Sequence, residues 1–112
     1  MNLLSNKVQL IGNLGADPEV KELENGNKVA KFFMATKEFH KDKEGNSTSD
    51  TCWHSLVAWG DKAKYVEKYL KKGIQIAVEG RLTNRTYEGK DGVKKYFTEI
   101  VVRDLVMFSS HK

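Results

Sequence analysis

One helical segment, set between the third and fourth of five stretches that alternate apolar and polar residues, constrains this chain more than any other feature. Gly60-Asp61 opens it, with Asp61 placed as an N-cap whose carboxylate accepts the free amides of the first turn. Ala63, Val66, Tyr69 and Leu70 form an apolar stripe at a 3.6-residue period. Lys71 and Lys72 follow in the last turn, where the helix dipole favours cations, and Gly73 stands at the left-handed C-cap position.

The flanking stretches carry strand periodicity. Val8, Leu10, Gly12 and Leu14 share one side of a first strand over Lys7–Leu14. After the tight-turn signal Asn25-Gly26, a second strand spans Val29–Thr36; both of its faces are apolar apart from Lys31, which predicts cover on both sides. Lys37 to Asp50 is polar and is expected to be a long loop, 37–50, carrying Phe39 and His40. A third strand covers Thr51–Trp59. Beyond the helix, Ile74, Ile76 and Val78 begin a fourth strand that bends at Gly80 and continues to Tyr87. A hairpin loop over 88–94 leads to a fifth strand, Lys95–Met107. This order, three strands, one helix, two strands, belongs to the all-β OB-fold, a five-stranded Greek-key barrel that often binds oligonucleotides. With 112 residues the chain is expected to be a single such domain, 1–112.

Composition narrows the function. Lys and Arg number 19 against 15 acidic residues, a net charge of +4 that mildly favours a polyanionic partner. The lone Cys52 has no disulfide partner, no apolar run is long enough to span a bilayer, and the first residues lack a signal-peptide pattern, so a cytoplasmic protein is expected. His40, His54 and His111 show no metal-ligand spacing. Neither a Gly-x-Ser-x-Gly elbow nor a P-loop is present, and Gly12-Asn13-Leu14-Gly15 lacks dinucleotide spacing. No enzyme, metal or cofactor is expected.

The chemistry lies in two stripes. Alternation puts Arg81, Thr83, Arg85 and Tyr87 on one strand face, with Leu82 on the other. Guanidinium forks suit phosphate oxygens, and a ring offers a surface on which any base can stack. A solvated outer strand, with salt bridges to Glu79 or Glu99, is the alternative. Trp53, Ser55, Val57 and Trp59 likewise oppose Leu56 and Ala58. Either the two indoles lie outside the barrel and stack bases, or they are core. Phe39 and His40, beside Lys37, Lys41 and Lys43, either extend the platform or pack locally. His54 is a packed or interface histidine. An OB module devoted to protein contact is the rival function.

The stretch Asn6-Lys7-Val8-Gln9-Leu10-Ile11-Gly12-Asn13-Leu14-Gly15-Ala16-Asp17-Pro18-Glu19-Val20 resembles the opening of bacterial-type single-stranded DNA-binding proteins. Ala35-Thr36, Trp53-His54, Tyr69-Leu70-Lys71-Lys72-Gly73 and Val78-Glu79-Gly80-Arg81-Leu82 continue the likeness in order along nearly the whole chain. The resemblance implies sequence-independent binding and protection of single-stranded DNA in replication, recombination and repair, by a homotetramer. It also implies stacking roles for Trp53, Trp59 and Tyr87, and phosphate contacts for Lys7, Lys43, Lys72 and Arg85. His40 falls where many members carry a loop Trp, with Phe39 beside it, and His54 matches a histidine associated with subunit contacts. Cellular members usually continue into a flexible linker and an acidic tip that recruits repair and replication enzymes. This chain ends Phe108-Ser109-Ser110-His111-Lys112, so recruitment through such a tip is not expected, whether the sequence was trimmed or is naturally short.

Overall fold

The alternating stretches close on themselves. In the computed structural model, which describes residues 5–108 and all their side chains except that of Tyr87, the strands are β1 (Val8–Leu14), β2 (Glu19–Glu22), β3 (Lys28–Lys41), β4 (Ser47–Trp59), β5 (Gln75–Glu88) and β6 (Lys94–Met107). Helix α1 (Asp61–Tyr69) lies between β4 and β5. The sheet runs β1-β5-β6-β4-β3, and β1 returns to β3 through Asn13↔Ala35 and Leu14↔Met34, closing a five-stranded barrel. Antiparallel pairing prevails except where β4 meets β6 in parallel, Leu56↔Ile100 and Val57↔Val101.

Two glycines permit the closure. A β-carbon on Gly12 would stand 2.2 Å from the carbonyl oxygen of Ala35, and one on Gly80 would stand 2.2 Å from that of Val101. Gly80 adjoins a register shift, the place where β5 changes direction. Inside, Leu14, Phe32, Met34, Leu56, Ile76 and Ile100 form the core with Ala63, Val66 and Leu70 from the helix segment. Helix α1 packs on β3, β4 and β6.

Five features depart from the sequence expectations. A short extra strand, β2, pairs with β3 from Glu19↔Lys31 to Glu22↔Lys28. The 37–50 segment is mostly strand: β3 and β4 pair without interruption from Val29↔Trp59 to Lys41↔Ser47. Its turn is held by Asp42, whose Oδ1 accepts the amides of Glu44 (2.9 Å) and Asn46 (2.8 Å). The outer part of this hairpin is exposed, so hydrophobic periodicity had nothing to report there. Asp61 is not the N-cap. That position belongs to Gly60 (φ 61°), with no side-chain cap, and Asp61 is the first helical residue, still facing the helix dipole. Leu70 is already extended, so Lys68 is the cation of the last turn; Lys71 and Lys72 lie beyond it. Gly73 does have positive φ (89°), but within a turn closed by the Ile74 amide on the Lys71 carbonyl (3.1 Å). Among the described residues no helix is long and apolar enough to cross a membrane.

Candidate nucleic-acid interface

The register of β3 on β4 sets the first stripe. Trp59 stands opposite Val29, Val57 opposite Lys31, Ser55 opposite Phe33 and Trp53 opposite Ala35. On the other face of the same strands, Ala30, Phe32, Met34, Leu56 and Ala58 are buried. Trp53 and Trp59 are 59% and 51% exposed, which selects the outward alternative for both indoles. Val29 and Val57 are buried yet lie outside the main core cluster, an apolar floor on the tryptophan face. Trp53 is further located by Gly15, whose missing side chain leaves room for the six-membered ring.

Cover on both faces of the second predicted strand is not what forms. Lys31 and Phe33 are exposed, Phe33 by 53%, on the same face as the tryptophans. Lys31 was the available signal: the one charge in an apolar strand marks the face that water reaches, and Phe33 shares its parity.

The second stripe is on β5, where Arg81, Thr83 and Arg85 pair with Val101, Glu99 and Phe97. Glu99 is the one buried charged residue among those described, 6% exposed. Arg85 Nε lies 3.3 Å from Glu99 Oε1 while most of the arginine side chain remains in solvent. The salt-bridge alternative is thus realised for Arg85, in a geometry that leaves the outer part of the guanidinium available. The hydroxyl of Thr83 donates to the Glu99 carbonyl (3.3 Å). Arg81 is exposed. The side chain of Tyr87 lies outside the described residues; its backbone pairs with Lys95.

A cavity of 690 Å³ joins the stripes. Lys31, Phe33 and Ser55 line it from β3 and β4, and Arg85, Phe97 and Glu99 from β5 and β6. Asp17 contributes from the segment after β1 and accepts the backbone amide of Lys72 (2.8 Å), tying that lysine's turn to the cavity edge. The other candidates are scattered more widely. Lys43 is exposed in the β3–β4 turn, and Lys7 Nζ lies 3.5 Å from Glu79 Oε1, away from the cavity lining. Phe39 is 76% exposed and has the strand parity of Phe33 and Ala35; His40, of opposite parity, pairs with Asp50 (3.1 Å). Of the two, Phe39 continues the tryptophan face. His54 is half-buried with Nε2 2.9 Å from Thr36 Oγ1.

Phe33, Phe97, Lys31 and Glu99 line the cavity but are not among the binding residues that the sequence offers. The last two carry charges that one strand's pattern does not separate from ordinary surface residues.

Known proteins resemble this chain in sequence and in fold. Residues 5–108 match the single-strand binding protein family. Single-stranded DNA-binding protein 1 of Chlorobaculum tepidum is 49% identical over 106 residues, covering 94% of this chain and 65% of its own length. The protein of the same name from Xylella fastidiosa is 45% identical over 103 residues, 91% of this chain and 76% of its own. This chain spans from 57% to 76% of the length of such curated relatives. A solved Plasmodium falciparum SSB complex with ssDNA superimposes with a TM-score of 0.85 at 37% identity, over 97% of this chain and all of that one. The chain belongs to the single-strand binding protein family.

Proposed function

We propose that this chain binds single-stranded DNA without reading its sequence, covering unpaired strands during replication, recombination and repair, and that it performs no catalysis. The observation that carries this is the outward, exposed placement of Trp53 and Trp59 on the sheet face whose Phe33 and Ser55 line a cavity shared with Arg85. Exposed rings offer π surfaces to any base, each worth about 1–3 kcal/mol per stacked base, and arginine and lysine take the phosphates. In this reading Trp53, Trp59, Phe39 and Tyr87 stack, while Arg81, Arg85, Lys43 and Lys72 hold the backbone, with Lys7 more peripheral. The Plasmodium neighbour, solved with ssDNA, supports the reading. A cytoplasmic or nucleoid location goes with it.

Assembly into a homotetramer is part of the same proposal. It is supported by an apolar strip in which Ile11, Ala77 and Val106 align across β1, β5 and β6, with Ile11 59% and Val106 58% exposed. His54 is assigned to a subunit contact. Light scattering at micromolar concentration is expected to give a tetramer, and a monomer overturns this part.

Titration with oligo(dT) tests the binding. Tryptophan emission is expected to be quenched, with affinity falling as salt rises. Arg85→Ala should flatten the salt dependence, by a slope of about 0.7 for one phosphate on a single strand, whereas Trp53→Ala should weaken binding with the slope kept. Absence of quenching together with salt-insensitive retention of the oligonucleotide rejects the reading.

A further inference from the structure

Phe33 and Phe97 line one cavity from two different hairpins, and neither belongs to the core cluster. We infer that this cleft is a base-binding subsite separate from the Trp53 and Trp59 platform, taking one unpaired nucleobase against the two phenyl rings. The inference rests on the reading that the chain binds single-stranded DNA.

Three observations select a base as the occupant. The first is continuity: Phe33 sits opposite Ser55, two residues from Trp53 and four from Trp59 along β4. At about 3.3 Å per residue, a strand passing from one indole to the other crosses the mouth of the cleft. The second is exposure. Phe33 is 53% exposed, and neither phenyl ring is paired with another ring among the described residues, so the rings hold unused π surface next to the path. The third is the distribution of charge. Lys31 and Arg85 supply cations to the lining, while Asp17, Glu19 and the buried Glu99 place carboxylates there too. Carboxylates repel a phosphate but accept hydrogen bonds from the N–H edge of a base. A base enters, and its phosphate stays outside near Lys31 and Arg85. The volume, 690 Å³, is within the range of about 300–1,000 Å³ found for pockets that hold small organic ligands.

The test uses the full chain. Phe33→Leu and Phe97→Leu keep apolar bulk while removing the π face, and each is expected to weaken oligo(dT) binding about three- to tenfold, with the maximal tryptophan quench unchanged. The double variant should lose less than the product of the two, because both rings serve one base. Independently of any variant, the wild-type chain bound to an oligonucleotide carrying 5-iodouracil and irradiated should yield cross-linked peptides containing Phe33 or Phe97. Wild-type affinity in both variants, or cross-links confined to Trp53 and Trp59 peptides, overturns the subsite while leaving the binding function standing. A wild-type chain that neither quenches nor retains the oligonucleotide overturns both.

Discussion

Trp53 lies across Gly15: a β-carbon built on the glycine would stand 2.3 Å from Cζ3 and 2.6 Å from Cη2 of the indole. Ordinary carbon contacts are about 3.5–4.0 Å, so even one methyl group must displace the ring. Gly15 is not among the positive-φ residues, so alanine there carries no left-handed backbone strain and the substitution isolates ring position. Gly15→Ala is expected to weaken oligo(dT) binding on the order of tenfold and to reduce the tryptophan quench, with the thermal midpoint near that of wild type. Unchanged affinity and quench in this variant means that the orientation of Trp53 does not matter to binding.

Arg85 has Glu99 as its partner in the fold and a phosphate as its partner in the proposed complex. Its Nε pairs with Glu99, which is 6% exposed, so removing the guanidinium leaves a buried carboxylate without its counter-charge. Arg85→Ala is expected to cost about 1–3 kcal/mol in urea unfolding, toward the lower end because the arginine itself is largely solvated. Adding Glu99→Gln removes the stranded charge and should restore most of the stability. It should not restore DNA affinity, which depends on the missing cation. If the double variant regains affinity, Arg85 contributes to binding only by neutralising Glu99.

The barrel and its helix were legible because they obey periodicities. The alternation of Val8, Leu10 and Leu14 and the stripe of Ala63 and Val66 reflect burial directly. The outward tryptophans were legible as one of two options, since Leu56 and Ala58 already supplied an inward face. β2 was not legible, because only Val20 of Glu19–Glu22 is even half-buried. The outer β3–β4 hairpin escaped for the same reason: its strands are held by backbone pairing, which any side chains permit. Phe33 was misplaced because the apolar residues around it outweigh Lys31, the single charge that marks the face the two share. The pairing of Arg85 with Glu99 was legible only as one of two options, Glu79 or Glu99, because the choice depends on the register of β5 on β6.

Closure of the barrel depends on Gly12. The atoms a β-carbon would meet there are the Ala35 carbonyl oxygen at 2.2 Å and carbon at 3.0 Å, backbone atoms that cannot rotate away as a side chain would. Gly12→Ala must therefore push β1 off β3 at the point where the barrel closes. The expected loss of unfolding free energy is about 1–3 kcal/mol or more, with wild-type oligo(dT) affinity in the folded fraction, because the proposed stacking face is carried by the β3–β4 pairing and not by β1. A Gly12→Ala chain as stable as wild type in urea contradicts this closure geometry.

Two ion pairs fasten helix α1 to the sheet, and their pH dependences have opposite signs. Lys62 Nζ lies 3.3 Å from Asp104 Oδ1 on β6, and Lys28 Nζ on β3 lies 2.6 Å from Glu67 Oε1. The hydrogen bond from Lys62, then the Leu105 amide and the lysine charge, hold the Asp104 carboxyl below its ordinary 3.8. A lowered carboxylate contributes stability that is present above the unfolded value and disappears as pH falls through the folded one. The Glu67 hydrogen bond and charge raise Lys28 above its ordinary 10.5, so its contribution is complete below that value and is lost as pH rises through the raised one. Both pairs are solvent-exposed, and each effect is small. Asp104→Asn should lower the thermal midpoint slightly at neutral pH, with the gap to wild type closing as pH falls past the ordinary 3.8 and through the lowered folded value; Lys28→Met should show a gap that closes only as pH rises past the ordinary 10.5. A gap for Asp104→Asn that widens toward acid pH contradicts the assignment, because protonating the wild-type carboxyl can only make the two chains more alike.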